Sequence, residues 1–328
     1  MKIGVIGLAF SHPYTYSSVI RRMGHTVDWV WDTDAQKAKA FADEHGAMVV
    51  KNVERLFTAK PDGIIISTRG GHERTTYILP AIEQHIPTYV AKPLVTGVAD
   101  LEMIVRAART AQSPIMSTSV LRFAPGIRAL GEHVRLGRAG TLLSIHASAV
   151  HSIARYMESE HRWQDDLESG GGTLVSMGVH ALDPIASVVG CDVESVSAYT
   201  TRRLFKESLS EDAATLICRY TNGLVASIDL VGGFQGEFYG IEVYGSDGIY
   251  RARVPSLQVE DHAGGARGGA DAWTEYGYVG TMTAFLEMCR TGTPPIPLEE
   301  TTQVMRTLLT ARRSATESRQ VRVDELGT

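Results

Sequence analysis

Met1-Lys2-Ile3-Gly4-Val5-Ile6-Gly7-Leu8-Ala9-Phe10-Ser11-His12-Pro13-Tyr14 opens the chain. Lys2 to Ile6 have the apolar, β-rich character of a buried strand, and Pro13 suits the first turn of a helix. A dinucleotide-binding turn between two such elements carries G-x-G-x-x-G; here the three positions are Gly7, Ala9 and His12. Those glycines serve, in order, the tight turn, the close backbone approach to a pyrophosphate and the packing of helix on strand. Ala9 puts a methyl group where phosphate oxygens approach, and His12 puts an imidazole where the helix should lie against the sheet. The helix still offers its N-terminal N–H groups and dipole to an anion. A purely structural turn and an altered cofactor turn are therefore both open.

Outward from this turn, strands and helices alternate as a parallel sheet covered on both faces requires. Thr26 to Trp31 form a second strand, and Asp34 caps a helix reaching about His45. Val49-Val50, Gly63 to Ser67, Thr88 to Val90 and Ile115 to Ser117 supply four more strands, with helices at Glu73 to Gln84 and Asp100 to Thr110. Six strands by residue 117 match one doubly wound domain, assigned to residues 1–120. Asp32 ends the second strand, 25 positions beyond Gly7, where a carboxylate can accept both ribose hydroxyls of an adenosine. Alternatively Asp32 is a turn residue of Asp32-Thr33-Asp34. If a cofactor binds, this carboxylate repels a 2′-phosphate, which favours NAD over NADP.

Residues 121–328 differ in character. Pro125 to Leu136 is helical, Thr141 to Val150 alternates like a strand, and Gly170-Gly171-Gly172 precede an apolar helix from Leu174 to Val189. Strand patterns recur at Val193–Thr200, Ala213–Tyr220, Leu224–Val231 and Phe238–Tyr244, with Asn222-Gly223 as a hairpin turn. They imply one open, mostly antiparallel sheet with helices on one face. A glycine-rich loop at His262 to Asp271 and helices at Tyr278–Arg290 and Glu299–Ser314 complete the chain.

The 328 residues, 44% hydrophobic and 21% charged, allow two globular domains with ample core. A net charge of −5 provides no basic footprint for nucleic acid and points to a small-molecule partner. Cys191, Cys218 and Cys289 lack paired spacing, so three buried thiols in a reducing compartment are expected. No apolar run is expected to span a membrane and the N-terminus enters a strand directly, so a cytoplasmic location is expected.

Two further groups of residues carry chemistry. In Tyr89-Val90-Ala91-Lys92-Pro93 a lysine ends a parallel strand, where open α/β sheets bind ligands; Pro93 favours an extended Lys92 and a cis bond. Lys92 then stands over the crevice, unless it is merely a solvated strand-end lysine. In Ser176-Met177-Gly178-Val179-His180-Ala181-Leu182-Asp183, helical spacing puts Ser176 and Asp183 on the face of His180. Such a histidine is either a general base whose tautomer a neighbour sets, or a satisfied core residue.

Together these pieces resemble the glucose-fructose oxidoreductase / inositol dehydrogenase (Gfo/Idh/MocA) family over nearly the whole chain. Ile64-Ile65-Ile66-Ser67-Thr68 with His72 is similar to the family's T-P-x-x-x-H segment, and Ala91-Lys92-Pro93 to its E-K-P. Arg122-Phe123-Ala124-Pro125 is similar to the entry into its second domain. Gly171-Gly172 through His180 and Asp183 is similar to its G-G-G…D-x-G-x-H-x-x-D helix. Gly245-Ser246-Asp247-Gly248 and Ala284-Phe285-Leu286 are similar to its late turn and C-terminal helix.

The resemblance implies oxidation of a secondary alcohol on a sugar or polyol by a nicotinamide. Lys92 would stabilise the reacting oxygen and His180 take its proton, with Asp183 and Ser176 beside them. The cofactor would lie against Gly7, Ala9, Phe10, Ser11, His12, Asp32, Ser67, Thr68, His72 and Lys92, and Arg122 would shape the substrate side. A homodimer or homotetramer through the second sheet is expected. Three departures accompany the match: the glycine turn, Ala91 for an acid, and Ser176 for an aspartate that would stabilise an imidazolium. Two alternatives follow from them. One is a non-redox lyase or isomerase using Lys92 and His180, with His146, His151 and His161 as metal candidates; no H-x-x-x-H or H-E-x-x-H pair exists, so no metal ligands are assigned. The other is a catalytically silent binding or regulatory protein.

Overall fold

The computed structural model describes residues 1–190, 192–234, 236–255, 259–260 and 271–327. Cys191 and all but the last residue of the expected glycine-rich loop lie outside them. The first half runs β1 (Lys2–Ile6), α1 (His12–Arg22), β2 (Thr26–Trp31), α2 (Ala35–His45), β3 (Met48–Val49), α3 (Val53–Thr58), β4 (Gly63–Ile66), α4 (His72–Glu83), β5 (Thr88–Ala91), α5 (Val98–Ala111) and β6 (Ile115–Thr118). All its strands are parallel, in the order β3-β2-β1-β4-β5-β6. The order reverses between β1 and β4, which opens a crevice over their C-terminal ends.

Burial on both faces explains why these strands read as unbroken apolar runs. Ile64 and Ile66 pack with α4 and α5 residues such as Ile78 and Ile104, while Ile65 packs on the opposite face with Tyr16 and Val19 of α1. Each such isoleucine contributes about 1.5–3 kcal/mol by leaving water. Asp34 caps α2 by accepting from the N–H groups of Gln36 and Lys37, and Gly46 ends it in the left-handed conformation. α3, only six residues long, is too short to show a period and was not apparent from the sequence.

After a 3-10 turn at Val120–Phe123 come α6 (Pro125–Arg135), β7 (Leu142–His151), α7 (Gly172–Val189), β8 (Val193–Thr201), β9 (Ala213–Tyr220), β10 (Val225–Val231), β11 (Glu237–Gly245), β12 (Ile249–Val254), β13 (Val259–Glu260), α8 (Ala272–Glu275), α9 (Tyr278–Thr291), α10 (Leu298–Glu317) and β14 (Val321–Arg322). The second sheet has the order β13-β12-β11-β7-β10-β9-β8-β14. Its pairs are antiparallel except β7 with β10. α7 packs on β7, β10 and β11, and α10 on β8.

α7 corrects one expectation. It is long and apolar enough to cross a membrane, yet nearly all of it is buried in the fold. A helix enclosed by a sheet and by α6 and α10 has no wet face and so becomes apolar all round. α9 returns to the first sheet: Met282, Phe285 and Leu286 join the cluster of Ile3, Tyr16 and Tyr89.

Candidate active site

The turn after β1 meets two requirements at once. Gly7 has φ +84°, and a Cβ there would come within 2.6 Å of Thr68 Cγ2 and 2.7 Å of the Thr68 nitrogen. Only glycine fits this left-handed, crowded position. The next N–H, of Leu8, donates to Asp32 Oδ2 at 2.6 Å, and the Asp34 N–H donates to Oδ1 at 2.7 Å. Asp32 is therefore a turn residue and also lines a cavity of about 350 Å³, together with Gly7, Ala9 and Thr68. The Ala9 N–H donates to the Ser67 carbonyl at 3.1 Å. The Ser67 hydroxyl is buried without a hydrogen-bond partner among the described residues.

The other turn residues point elsewhere. Ser11 is exposed and makes no side-chain cap. Phe10 meets Trp163 edge to face at 5.0 Å, with Lys92 Nζ 6.0 Å from its ring centre. His12 does not wedge α1 off the sheet as the motif comparison implied. Its ring turns along the helix and stacks on Tyr16 at 5.9 Å, near Tyr278. Burial, then Lys92 and His151, push its pKa down to about 3.

His72 requires a correction. It begins α4 with its side chain 72% exposed, and Nδ1 lies 2.9 Å from Asp100 Oδ1 on α5. The ring is solvated and paired on the surface; it does not line the cavity.

Lys92 follows β5 through a cis bond to Pro93. It is buried, which removes the solvated alternative, and Nζ lies 3.3 Å from both the carbonyl and the hydroxyl of Ser176. Burial and the Arg74 cation lower its pKa to about 8. Arg74, which no motif or spacing marks out, is fully buried. It donates to the carbonyls of Thr68, Ala91 and Pro93, and so ties the ends of β4 and β5 together under the crevice.

His180 is also buried, but neither polar neighbour on α7 holds it. Its Nδ1 lies 2.8 Å from Ser119 Oγ, just beyond β6, while Ser176 receives Lys92. Asp183 accepts from Thr118 Oγ1 at 2.6 Å and from the Ser119 N–H at 2.9 Å, so it anchors the segment that carries His180's partner. The physical reason is direction: a shared helix face sets where side chains start, but each reaches the nearest complementary group on another element. The His180 ring lies 5.4 Å from that of Tyr239 and 6.3 Å from that of His151. Burial, then Lys92, His151 and His12, hold its pKa well below the ordinary histidine value.

Arg122 also departs from expectation. Its guanidinium bonds Asp183 Oδ1 at 2.8 Å and pairs with Glu300 on α10. It braces three elements and faces a separate surface depression with Arg128 and Glu132. Both acceptors are carboxylates, and the guanidinium they hold is not among the residues that line the nucleotide cavity. Ser119 and Tyr239 carry no signal in the sequence and His151 entered only as a metal candidate, because the three come from different strands or their ends, with no common spacing.

Among the described residues no three His, Cys, Asp or Glu side chains form a metal-sized group. The glycine cradle at Gly7, the oriented Asp32 and the buried free hydroxyl of Ser67 suit the adenosine and pyrophosphate of a dinucleotide. The cavity lies at the sheet's switch point, and Lys92 Nζ lies 6.0 Å from the ring of Phe10, the residue after Ala9 of its lining.

Comparison with known proteins agrees. Residues 1–119 match the family described as "Oxidoreductase family, NAD-binding Rossmann fold", and residues 127–251 match the GFO/IDH/MocA C-terminal domain. A 1,5-anhydro-D-fructose reductase of Ensifer adhaerens is 28% identical over 75% of this chain and 73% of its own length. An inositol 2-dehydrogenase of Ralstonia nicotianae is 24% identical over 80% of this chain and 77% of its own. Some other relatives are matched over slightly less than two thirds of their length. A solved levoglucosan dehydrogenase, in complex with NADH and L-sorbose, shares the fold with a TM-score of 0.87 over 98% of both chains at 15% identity. The chain belongs to the GFO/IDH/MocA family of oxidoreductases, with an NAD-binding Rossmann domain and that family's C-terminal domain.

Proposed function

We propose that the chain is an NAD-dependent dehydrogenase for a secondary alcohol of a sugar, polyol or related small molecule, and that Lys92 and His180 carry the proton chemistry. The observation that carries this is their joint burial beside the dinucleotide crevice, each held from another element: Lys92 by Ser176 and His180 by Ser119. Gly7, Ala9, Asp32, Ser67 and Thr68 would hold the cofactor, whose nicotinamide, when bound, accepts the hydride from the carbinol carbon. The Lys92 ammonium donates a hydrogen bond to the alcohol oxygen and stabilises the negative charge that develops there. His180, neutral because its pKa is depressed, takes the hydroxyl proton at Nε2 when Nδ1–H donates to Ser119 Oγ. The C–H pair and the O–H proton thus leave to different acceptors, and the product is a ketone. Tyr239 and His151, packed around His180, would contact the substrate hydroxyls.

Residues 1–120 form the dinucleotide domain in this proposal, and 121–328 the substrate and assembly domain. Leu143, Tyr199, Ile217 and Val225 are exposed on strands of the second sheet, which supports pairing with a second copy as a homodimer or homotetramer. The free, unpaired thiols Cys218 and Cys289 support a reducing, cytoplasmic setting. Titration with NADH followed by turnover assays on a polyol panel tests the function. Saturable NADH binding and loss of turnover in Lys92→Ala are expected, and a folded protein that binds no nicotinamide overturns it.

A further inference from the structure

The segment between β7 and α7 reaches back over the first domain and forms one wall of the nucleotide cavity through Glu160, His161 and Trp163. It is firmly seated. Asp165 is fully buried and accepts from the hydroxyls of Ser208 and Ser210 and the N–H of Leu209. Trp163 packs on Phe10, with the Arg69 guanidinium 5.9 Å from its ring.

At the mouth of this wall Glu160 Oε1 lies 2.6 Å from Lys37 Nζ, 123 positions away on α2. The cavity lining holds four carboxylates, Asp32, Asp34, Glu73 and Glu160, against two cations, Lys37 and Arg69. Asp32 cannot swing aside, because two backbone N–H groups hold its carboxylate, and Asp34 is used as the α2 cap. Lys37 is therefore the cation on the Asp32 side of the cavity, where a ribose 2′-substituent would project. The bridge is half exposed, so it adds little to stability. Its consequence is local: the charge a 2′-phosphate would need is already paired.

We propose that Glu160 is a specificity-determining residue that disfavours NADP by occupying Lys37 from the second domain. This rests on the cavity being the adenosine end of the proposed dinucleotide site. A 2′-phosphate brings nearly two negative charges at neutral pH. It would meet Asp32 directly and find Lys37 neutralised, whereas the neutral 2′-hydroxyl of NAD meets only an oriented acceptor.

The test is calorimetric titration of the full chain with NADH and with NADPH, for the wild type, Glu160→Gln, Lys37→Gln and the double variant. Glu160→Gln should raise NADPH affinity relative to NADH by roughly tenfold, as a freed ammonium gains a charge-assisted bond to phosphate. That gain should shrink with added salt and vanish in the double variant. An unchanged NADPH-to-NADH ratio in Glu160→Gln, including equal weakening of both, would make Glu160 a mere interdomain latch and overturn the inference. So would a gain that persists without Lys37. Failure of every folded variant to bind either nucleotide would instead remove the cofactor site on which the inference stands.

Discussion

Ser119 Oγ lies 2.8 Å from His180 Nδ1 across 61 positions of sequence, and this pair, not a carboxylate on the same helix, sets how the buried imidazole faces the site. Ser119 Oγ also accepts the Leu121 N–H at 3.3 Å, which leaves one good arrangement for a basic Nε2: Nδ1–H donating to the serine. A serine orients but adds no charge, so the imidazolium formed in turnover is not compensated there.

Ser119→Ala should lower kcat by about tenfold, the cost of one orienting hydrogen bond, with a smaller change in KM. Ser119→Asp should raise the basic pKa seen in the kcat profile. Steady-state kinetics across pH 5–9 check both, and an unchanged profile in both variants counts against the pair.

The Lys92 pKa of about 8 predicts that kcat/KM falls as pH rises through about 8, when the ammonium loses the proton it donates to the substrate oxygen. The same burial has a stability sign. Its folded pKa lies below its unfolded one, so the unfolded chain binds more protons between about 8 and 10.5, and stability rises with pH across that window. Lys92→Met should abolish turnover and stabilise the fold at pH 7 by of the order of 2 kcal/mol. Denaturant titration at pH 7 and pH 10 measures the difference, which should be larger at pH 7.

Gly7→Ala should destabilise the first domain by about 1–3 kcal/mol, because it combines a positive φ with a Cβ 2.6 Å from Thr68 Cγ2. NADH affinity should fall with it. Thermal unfolding and NADH titration on the same preparation test whether both effects occur together.

Ala9→Gly removes the methyl at the second motif position without a steric demand elsewhere. NADH should bind several-fold tighter if the pyrophosphate approaches this backbone. A Kd that stays the same or rises places the phosphates away from Ala9, and competition with ADP shows which half of the nucleotide moved.

Local pattern carried far in this chain. The apolar runs Lys2–Ile6 and Gly63–Ile66, the cap at Asp34 and the strand-end position of Lys92 state a doubly wound sheet and the end where it binds, because period and turn chemistry are properties of neighbouring residues. Spacing also put His180 on a helix. Spacing could not choose His180's partner, since Ser176 and Asp183 were equally placed and Ser119 was not on the helix at all.

The sequence by itself determined the two sheets, the crevice and the two candidate proton carriers. Only the tertiary structure decided which groups hold them: Ser176 under Lys92, Ser119 beside His180, Arg122 drawn off to Asp183 and Glu300, His72 left on the surface with Asp100. The physical reason is range. Hydrophobic period acts over a few residues, whereas a buried charge or ring must be satisfied by whatever polar group the packed elements bring within about 3 Å, however distant in the chain.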